Sequence, residues 1–367
     1  MIKWCKKCVL PNTRPNLKFD ENGICSACTN FVKKESINWK KRENIFKKII
    51  KEAKTKSQGY DCLIPVSGGK DSTWQVVTAL KYGLKTLAVS WKTPFRTKLG
   101  QKNLDNLISL GVDHIDWTVN PKIEKKIVTE TFKSKGSSAI SMHSAIFNLP
   151  SQIALRFKIP LIIWGENSSY EYGNDNNSDS NYKLNKKWIK KYGANNNVNV
   201  QSLVKRYFIN KYTASYQNEY LEKKVKYQSV FLGHFFSWDP KKIFKEASKH
   251  GFTNALKAEV GYYDFADVDD DCIMPIHHWL KWYKFGFTRE YDNLSIEIRN
   301  QRISRKKAIR LLQKKNYVIP TEAINKFCNY YNIDKKKFYS DCEKFRNKKI
   351  WKKKNNKIVL INNINEN

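Results

Sequence analysis

Cys62-Leu63-Ile64-Pro65-Val66-Ser67-Gly68-Gly69-Lys70-Asp71-Ser72 passes from an apolar run through two glycines to a lysine, and Thr73-Trp74-Gln75-Val76-Val77-Thr78-Ala79-Leu80 continues it in a helical pattern. The order is that of a buried strand, a tight turn and a helix start. Adjacent glycines let the backbone bend sharply and bring its N–H groups close to an anion. The helix N-terminus adds positive potential and Lys70 adds a mobile charge, so the stretch predicts a phosphate site built from Ser67, Gly68, Gly69, Lys70, Asp71 and Ser72. The glycines stand next to the lysine, which separates this loop from the Gly-x-x-x-x-Gly-Lys-Ser/Thr pattern.

From Tyr60 onward, apolar strands are expected at 62–66, 85–91, 114–119, 159–164 and 229–232, with helices between them at 72–82, 99–110, 121–134 and 143–157. Such alternation predicts a parallel sheet with helices on both faces and ligands beyond the carboxyl ends of its strands. A linker helix is expected over 36–58, the α/β domain over 59–240 and a helical substrate or partner region over 241–346, with a basic tail over 347–367. Within the helical region the pattern gives helices at 240–250, 275–285, 295–315 and 320–346, and Ile358-Val359-Leu360-Ile361 reads as frayed tail or edge strand. The Asn-, Asp- and Ser-rich run at 174–200 reads as a flexible insertion.

Residues 1–35 carry Cys5-Lys6-Lys7-Cys8 and Cys25-Ser26-Ala27-Cys28, sixteen residues apart. Two such knuckles match a four-thiolate zinc ribbon, with an iron–sulfur cluster as the alternative for the same ligands. Few apolar residues lie between them, so metal would supply folding energy. A closed four-cysteine site has no open coordination position, and its expected role is structural. The absence of a signal sequence or a membrane-length apolar run points to the cytoplasm. A net charge of +34 over 367 residues suits anionic partners. Lysine is spread through almost every segment, however, so the charge reads as compositional and is weak evidence for nucleic acid.

Other candidates stand at strand ends. Gly165 allows close ligand approach after the fourth strand, and Glu166 and Glu171 offer carboxylates for Mg²⁺, ribose or proton transfer. Ser90 and Trp91 end the second strand, where a nucleoside would sit, although Trp91 reads nearly as well as core. His143 could bind phosphate or cap a helix. An acidic run, Asp264 to Asp271, leads into Pro275-Ile276-His277-His278-Trp279-Leu280-Lys281, in which adjacent histidines cannot share one helix face. Arg289, Asp292, Glu297 and Arg299 form a charged group able to grip a carboxylate or diphosphate.

Ser-Gly-Gly-Lys-Asp-Ser after a strand resembles the PP-loop of the N-type ATP pyrophosphatases. With both knuckles, Pro11-Asn12-Thr13-Arg14-Pro15, Trp164-Gly165-Glu166-Asn167, Tyr170-Glu171-Tyr172-Gly173, Ser237-Trp238-Asp239-Pro240 and His277 through Arg299, the chain resembles the N-acetyl sugar amidotransferases of lipopolysaccharide O-antigen and nonulosonic acid pathways. The resemblance implies a HUP-like PP-loop domain that uses ATP and Mg²⁺ to convert an acetamido group of a sugar or nucleotide-sugar into an acetamidino group. Lys70, Asp71 and Glu166 are then the expected catalytic residues, with His143, Glu171, His277, His278, Lys281, Arg289 and Arg299 toward the substrate. Ammonia is expected from separate glutaminase and cyclase-like subunits, since no glutaminase Cys–His pattern is evident. The rival enzyme class is tRNA thiolation, which usually needs a sulfur-carrying cysteine, a cluster or a carrier partner, with Cys62 and Cys272 as the candidate cysteines. A non-enzymatic zinc-ribbon scaffold is opposed by the intact loop.

Overall fold

The structure, a computed structural model, describes residues 2–173, 182–193, 227–258, 260–314 and 318–365. Elements are numbered among these. The sheet is formed by β1 (Cys62–Pro65), β2 (Thr86–Trp91), β3 (Asp113–Trp117), β4 (Leu161–Trp164) and β5 (Gln228–Phe231), all parallel, in the order β3-β2-β1-β4-β5. β1 lies at the centre, and its residues Cys62, Leu63 and Ile64 are fully buried because helices cover both faces. The chain order reverses beside β1, which places the phosphate loop at the switch point where ligands bind in open α/β sheets. The fold is α/β, a five-stranded parallel sheet with helices on both faces.

Helices α1 (Ser26–Glu35) and α2 (Trp39–Lys56) precede the sheet; α2 lies within the 36–58 span expected for the linker helix, and the Asn38 side chain caps it by accepting from Lys41 N–H. α3 (Lys70–Lys81) follows β1, α4 (Lys98–Ser109) follows β2, and α5 (Pro121–Lys135) and α6 (Ile140–Arg156) lie between β3 and β4. Phe46, Ile50, Trp74, Val76, Leu107, Val230 and Phe235 fill one face, while Leu63, Val89, Ile153, Ile162 and Phe231 fill the other.

After β4 come α7 (Ser168–Glu171) and α8 (Lys186–Tyr192). Most of the expected insertion at 174–200 lies outside the described residues, but 182–193 is not loose filler. Leu184 and Trp188 are buried against Phe147, Trp164 and Phe231, since an indole and a leucine gain more from the sheet face than from water.

α9 (Leu232–Phe235) and α10 (Pro240–Lys249) close the α/β part; Asp239 caps α10 by accepting from Lys241 and Lys242 N–H. α11 (Ile273–Phe285), α12 (Arg289–Arg299), α13 (Arg305–Lys314), α14 (Thr321–Tyr331) and α15 (Lys335–Glu343) form the C-terminal helical region. The expected helix 295–315 is thus two, separated by a turn in which Gln301 takes a positive φ of 58°. α11, α14 and α15 pack through Trp279, Phe327 and Phe338 onto Phe132 of α5. The chain ends in an antiparallel hairpin, β6 (Trp351–Lys354) with β7 (Lys357–Leu360), whose Trp351 and Leu360 cover Ile2. No helix among the described residues is long and apolar enough to cross a membrane.

Candidate active site

The loop Ser67–Gly69 turns directly from β1 into α3. Gly68 has φ +86°, and a Cβ there would lie 2.9 Å from Gly100 O and Leu104 N of α4, so both conformation and space require glycine. The Ser72 hydroxyl accepts the Ser67 N–H at 3.0 Å and pins the loop to the first turn of α3. Lys70 is buried, pairs with the Asp71 carboxylate, and lies near the Trp238 and Phe265 rings, 6.0 and 5.7 Å from their centroids. Asp71 Oδ1 accepts the Trp238 indole N–H at 2.9 Å. Trp238, flagged only within Ser237–Pro240 by sequence, is thereby part of the site.

Glu166 follows β4. A Cβ at Gly165 would meet Gln75 Oε1 at 3.2 Å and Asp71 Cβ at 3.7 Å, and one at Gly233 would meet Glu166 Cα at 3.1 Å. The two glycines thus let the chain carrying Glu166 press against the phosphate loop. Burial and the nearby Asp71 carboxylate push the Glu166 carboxyl up to about 7, against the pull of Lys70 and Arg289. Asp269 behaves similarly: burial and the neighbouring Asp270 and Asp267 raise it to about 7, and it exchanges a hydrogen bond with Ser67. The acidic run of the C-terminal region therefore reaches the phosphate loop. It is fastened there by Thr97, whose N–H donates to Asp269 O at 3.2 Å, and by Asp270, which accepts from the Thr93 hydroxyl and the N–H groups of Cys272 and Met274.

Across from the loop, α11 and α12 present a wall of charge. Asp267 faces Arg289 at 3.7 Å and His278 at 3.6 Å, while Asp292 faces Arg14 at 2.9 Å and Lys281 at 3.7 Å. Burial opposes the charge on Asp292, but Arg14, Lys281 and Arg289 outweigh it and hold the carboxyl down to about 2. Burial lowers Lys281 to about 8 despite Asp292. His143 and His277 meet ring to ring at 5.5 Å; burial pushes His143 down to about 4, as it does His278. Among the described residues, the His143 Nδ1, both His278 ring nitrogens, Asp292 Oδ2 and Asp267 Oδ2 find no hydrogen-bond partner. Several buried polar groups thus stand at ion-pair rather than hydrogen-bond distance, the condition of a wall that a polar ligand would complete.

The structure brings together Ser67, Gly68, Gly69, Lys70, Asp71, Ser72, Gly165 and Glu166, and gathers His143, His277, His278, Lys281 and Arg289 opposite them. Other candidates lie elsewhere. Glu171 pairs with Lys34 at 2.6 Å, both nearly buried, and is not free to grip a ligand. Arg299 stands seven residues beyond Asp292, about 10 Å along the helix, where it donates to Glu171 O at 3.3 Å. Glu297 accepts from the Tyr263 hydroxyl at 2.5 Å and pairs with Arg302. The charged group on α12 therefore divides along the helix axis. Ser90 spends its hydroxyl on Asp116 at 2.6 Å and on His114, and Arg96 bridges the same carboxylate. Trp91 packs beside Ala139, Met142 and Ile273. Arg14, Asp267 and Asp269 were not singled out by sequence; Arg14 lies in the quoted Pro-Asn-Thr-Arg-Pro, and the other two lie in the acidic run.

Cys5, Cys8, Cys25 and Cys28 are buried, with all four sulfurs within 4.8 Å of one another. Cys5–Cys28 and Cys8–Cys25 are 4.0 and 3.6 Å apart. Thiolates around one tetrahedral zinc at about 2.3 Å would stand about 3.8 Å apart. The four residues fit a single zinc ion; a cluster of several irons would spread them wider. Among the described residues they are the one group with metal-ligand spacing.

Residues 252–365 match the family of the lipopolysaccharide biosynthesis protein WbpG-like C-terminal domain. No curated protein matches the chain. A solved structure of NMN synthetase from Francisella tularensis is similar over 82% of this chain and 96% of that one, with 13% identity and a TM-score of 0.34, a level that carries no argument.

Proposed function

We propose that this chain, a PP-loop α/β protein whose C-terminal region belongs with the WbpG-like lipopolysaccharide biosynthesis proteins, is an ATP-dependent amidotransferase that turns an acetamido group of a sugar or nucleotide-sugar into an acetamidino group. The observation that carries this reading is the meeting of two walls. An anion loop with a buried lysine faces a polar wall supplied by the matched region. An amide carbonyl is a poor electrophile because its nitrogen donates into it. Attack of the amide oxygen on the α-phosphorus of ATP forms an O-adenylyl imidate and releases pyrophosphate. Ammonia then adds to the imidate carbon and AMP departs, leaving the amidine.

In this scheme the N–H groups of Gly68, Gly69 and Lys70, with the Lys70 ammonium, cradle the departing pyrophosphate. Asp71 and Glu166 lie where Mg²⁺ would be held, and the ion would neutralise the phosphates. Glu166, poised near 7, is suited to take the amide N–H proton as the imidate forms. His143, His277, His278, Lys281 and Arg289 would hold the acceptor, with ammonia delivered by separate glutaminase and cyclase-like subunits in the cytoplasm. tRNA thiolation is less well supported: burial pushes the Cys62 thiol up to about 12 and raises Cys272 as well, leaving neither as a ready thiolate.

The test is mass spectrometry of acetamido nucleotide-sugars and nonulosonic acids incubated with the protein, ATP, Mg²⁺ and ammonium. The expected result is AMP and pyrophosphate in equal amounts with a product about one mass unit lighter, as oxygen is replaced by NH. ADP among the products would overturn the scheme.

A further inference from the structure

The cysteine ribbon does not stand apart from the site. On one side, the turn between its knuckles sends Arg14 into the acceptor wall. The guanidinium donates to Asp292 at 2.9 Å and stacks 4.7 Å from the Tyr172 ring centroid, and the neighbouring Thr13 hydroxyl donates to Phe285 O at 2.5 Å. On the other side, α1 begins at the second knuckle and lies along residues 170–173, the end of the segment 164–173 that carries Glu166. Ser26 donates to Gly173 O, Asn30 to Tyr170 O at 3.2 Å, and the Tyr170 hydroxyl back to Asn30 O at 2.8 Å. Lys34 closes the contact, donating to Glu171 at 2.6 Å and to Trp238 O at 2.7 Å. The fit is close: a Cβ on Gly173 would come within 2.3 Å of Ala27 N. Trp238 in turn donates to Asp71.

We infer that the ribbon is a positioning element of the site: through Arg14 and α1 it fixes the 164–173 segment and the N-terminal half of α12, so that metal held by Cys5, Cys8, Cys25 and Cys28 orders the acceptor side while the phosphate loop keeps its own support. The inference rests on reading these segments as the acceptor wall. Cys25 and Cys28, at the start of α1, would be tied through zinc to Cys5 and Cys8, which precede Arg14. Besides the four cysteines, the buried apolar side chains at this join are Leu10, Leu17 and Ala27, with Phe19, Ile24 and Ile298 packed against them, so metal would add to a small core. The phosphate loop is braced directly by α4 and by Ser72, both outside the ribbon, and is tied to the ribbon only at second hand, through Asp71, Trp238 and Lys34.

Hydrogen exchange of the full chain, zinc-loaded and chelator-treated, tests this without any substrate. Metal removal should speed exchange at least tenfold in peptides covering 164–173 and 289–295, and leave 62–80 within twofold. Two variants with the cysteine ligands intact, Arg14→Ala and Lys34→Met, should retain one zinc per chain and reproduce the loosening of 289–295 and 164–173 respectively. Arg14→Lys should return part of the protection. If chelation unfolds the whole chain, the variants decide. Unchanged exchange in both segments with full zinc content overturns the inference, and so does equal loosening of 62–80, which would make the ribbon a general support of the fold. Failure of the amidotransferase reading would appear as absent amidine product and leave these exchange results untouched.

Discussion

Glu124 of α5 is 3% exposed, and its Oε1 makes no hydrogen bond. Burial is the larger cause and the charge of Asp270 the second that push its carboxyl up from an ordinary 4.5 to about 7. Tyr330 and Tyr331 of α14 also face it, and both feel its charge. A carboxyl whose folded pKa is raised holds its proton more tightly when folded, so the chain loses stability as pH rises from 4.5 through 7 and gains nothing back above that. The shift corresponds to about 3 kcal/mol above pH 8 and less than about 1 kcal/mol at pH 5, at about 1.4 kcal/mol per unit. Glu124→Gln keeps the shape of the protonated acid and removes the titration. Denaturant unfolding of parent and variant at pH 5 and pH 8 should therefore show the variant's advantage growing by about 2 kcal/mol between the two. A difference independent of pH would refute the reasoning, because it would mean that Glu124 titrates alike in the folded and unfolded chain. The position matters for function because Asp270 fastens the strap that brings Asp269 to the phosphate loop.

Lys70→Ala should abolish pyrophosphate release, a loss of at least a hundredfold measured by a coupled phosphate assay, while the far-ultraviolet circular dichroism stays unchanged. Gly68→Ala should weaken ATP binding more than tenfold by calorimetry, because a left-handed φ costs about 1 kcal/mol for alanine and its Cβ would meet α4 backbone at 2.9 Å. With Lys281 lowered to about 8 by burial, its charge is lost as pH rises through that value. Turnover measured as kcat/KM should accordingly fall above pH 8 in the parent and stay level to higher pH in Lys281→Arg.

The central βαβ unit was legible because local and global signals agree there: an apolar run, a glycine turn and a helical pattern all demand the same order. The four cysteines were legible for a similar reason, since thiols paired on two tight turns have few other uses. The residues of the charged wall on α11 and α12 were readable as types but not as partners. Glu171, Arg299 and Glu297 are charged residues near others in the chain, and only the packing of α1 and the length of α12 assign them to Lys34, to the Glu171 carbonyl and to Arg302. Arg14 shows the converse. It lies 278 residues from Asp292, a separation over which no periodicity carries information. The break between α12 and α13 was missed because the apolar spacing runs on across it, and the positive φ at Gln301 has no glycine to announce it.

The arrangement of charge has a consequence for how ATP can enter. Lys70 already pairs with Asp71, and two further carboxyls, Glu166 and Asp269, face the same loop with values raised to about 7 by burial first and by neighbouring negative charge second. A triphosphate adds negative charge to that space. Either the two carboxyls keep their protons or a divalent cation must offset them, and ionised carboxylates beside bare phosphate would repel. ATP binding without Mg²⁺ should therefore weaken as pH rises from 6 to 8, by up to roughly tenfold per unit for each carboxyl that must take up a proton. With Mg²⁺ the dependence should flatten, since the cation replaces the protons. Calorimetric titrations at the two pH values, with Mg²⁺ and with a chelator, separate the cases. Equal affinity at pH 6 and pH 8 in the absence of metal would show that Glu166 and Asp269 do not sense the phosphates, and would move both out of the nucleotide site.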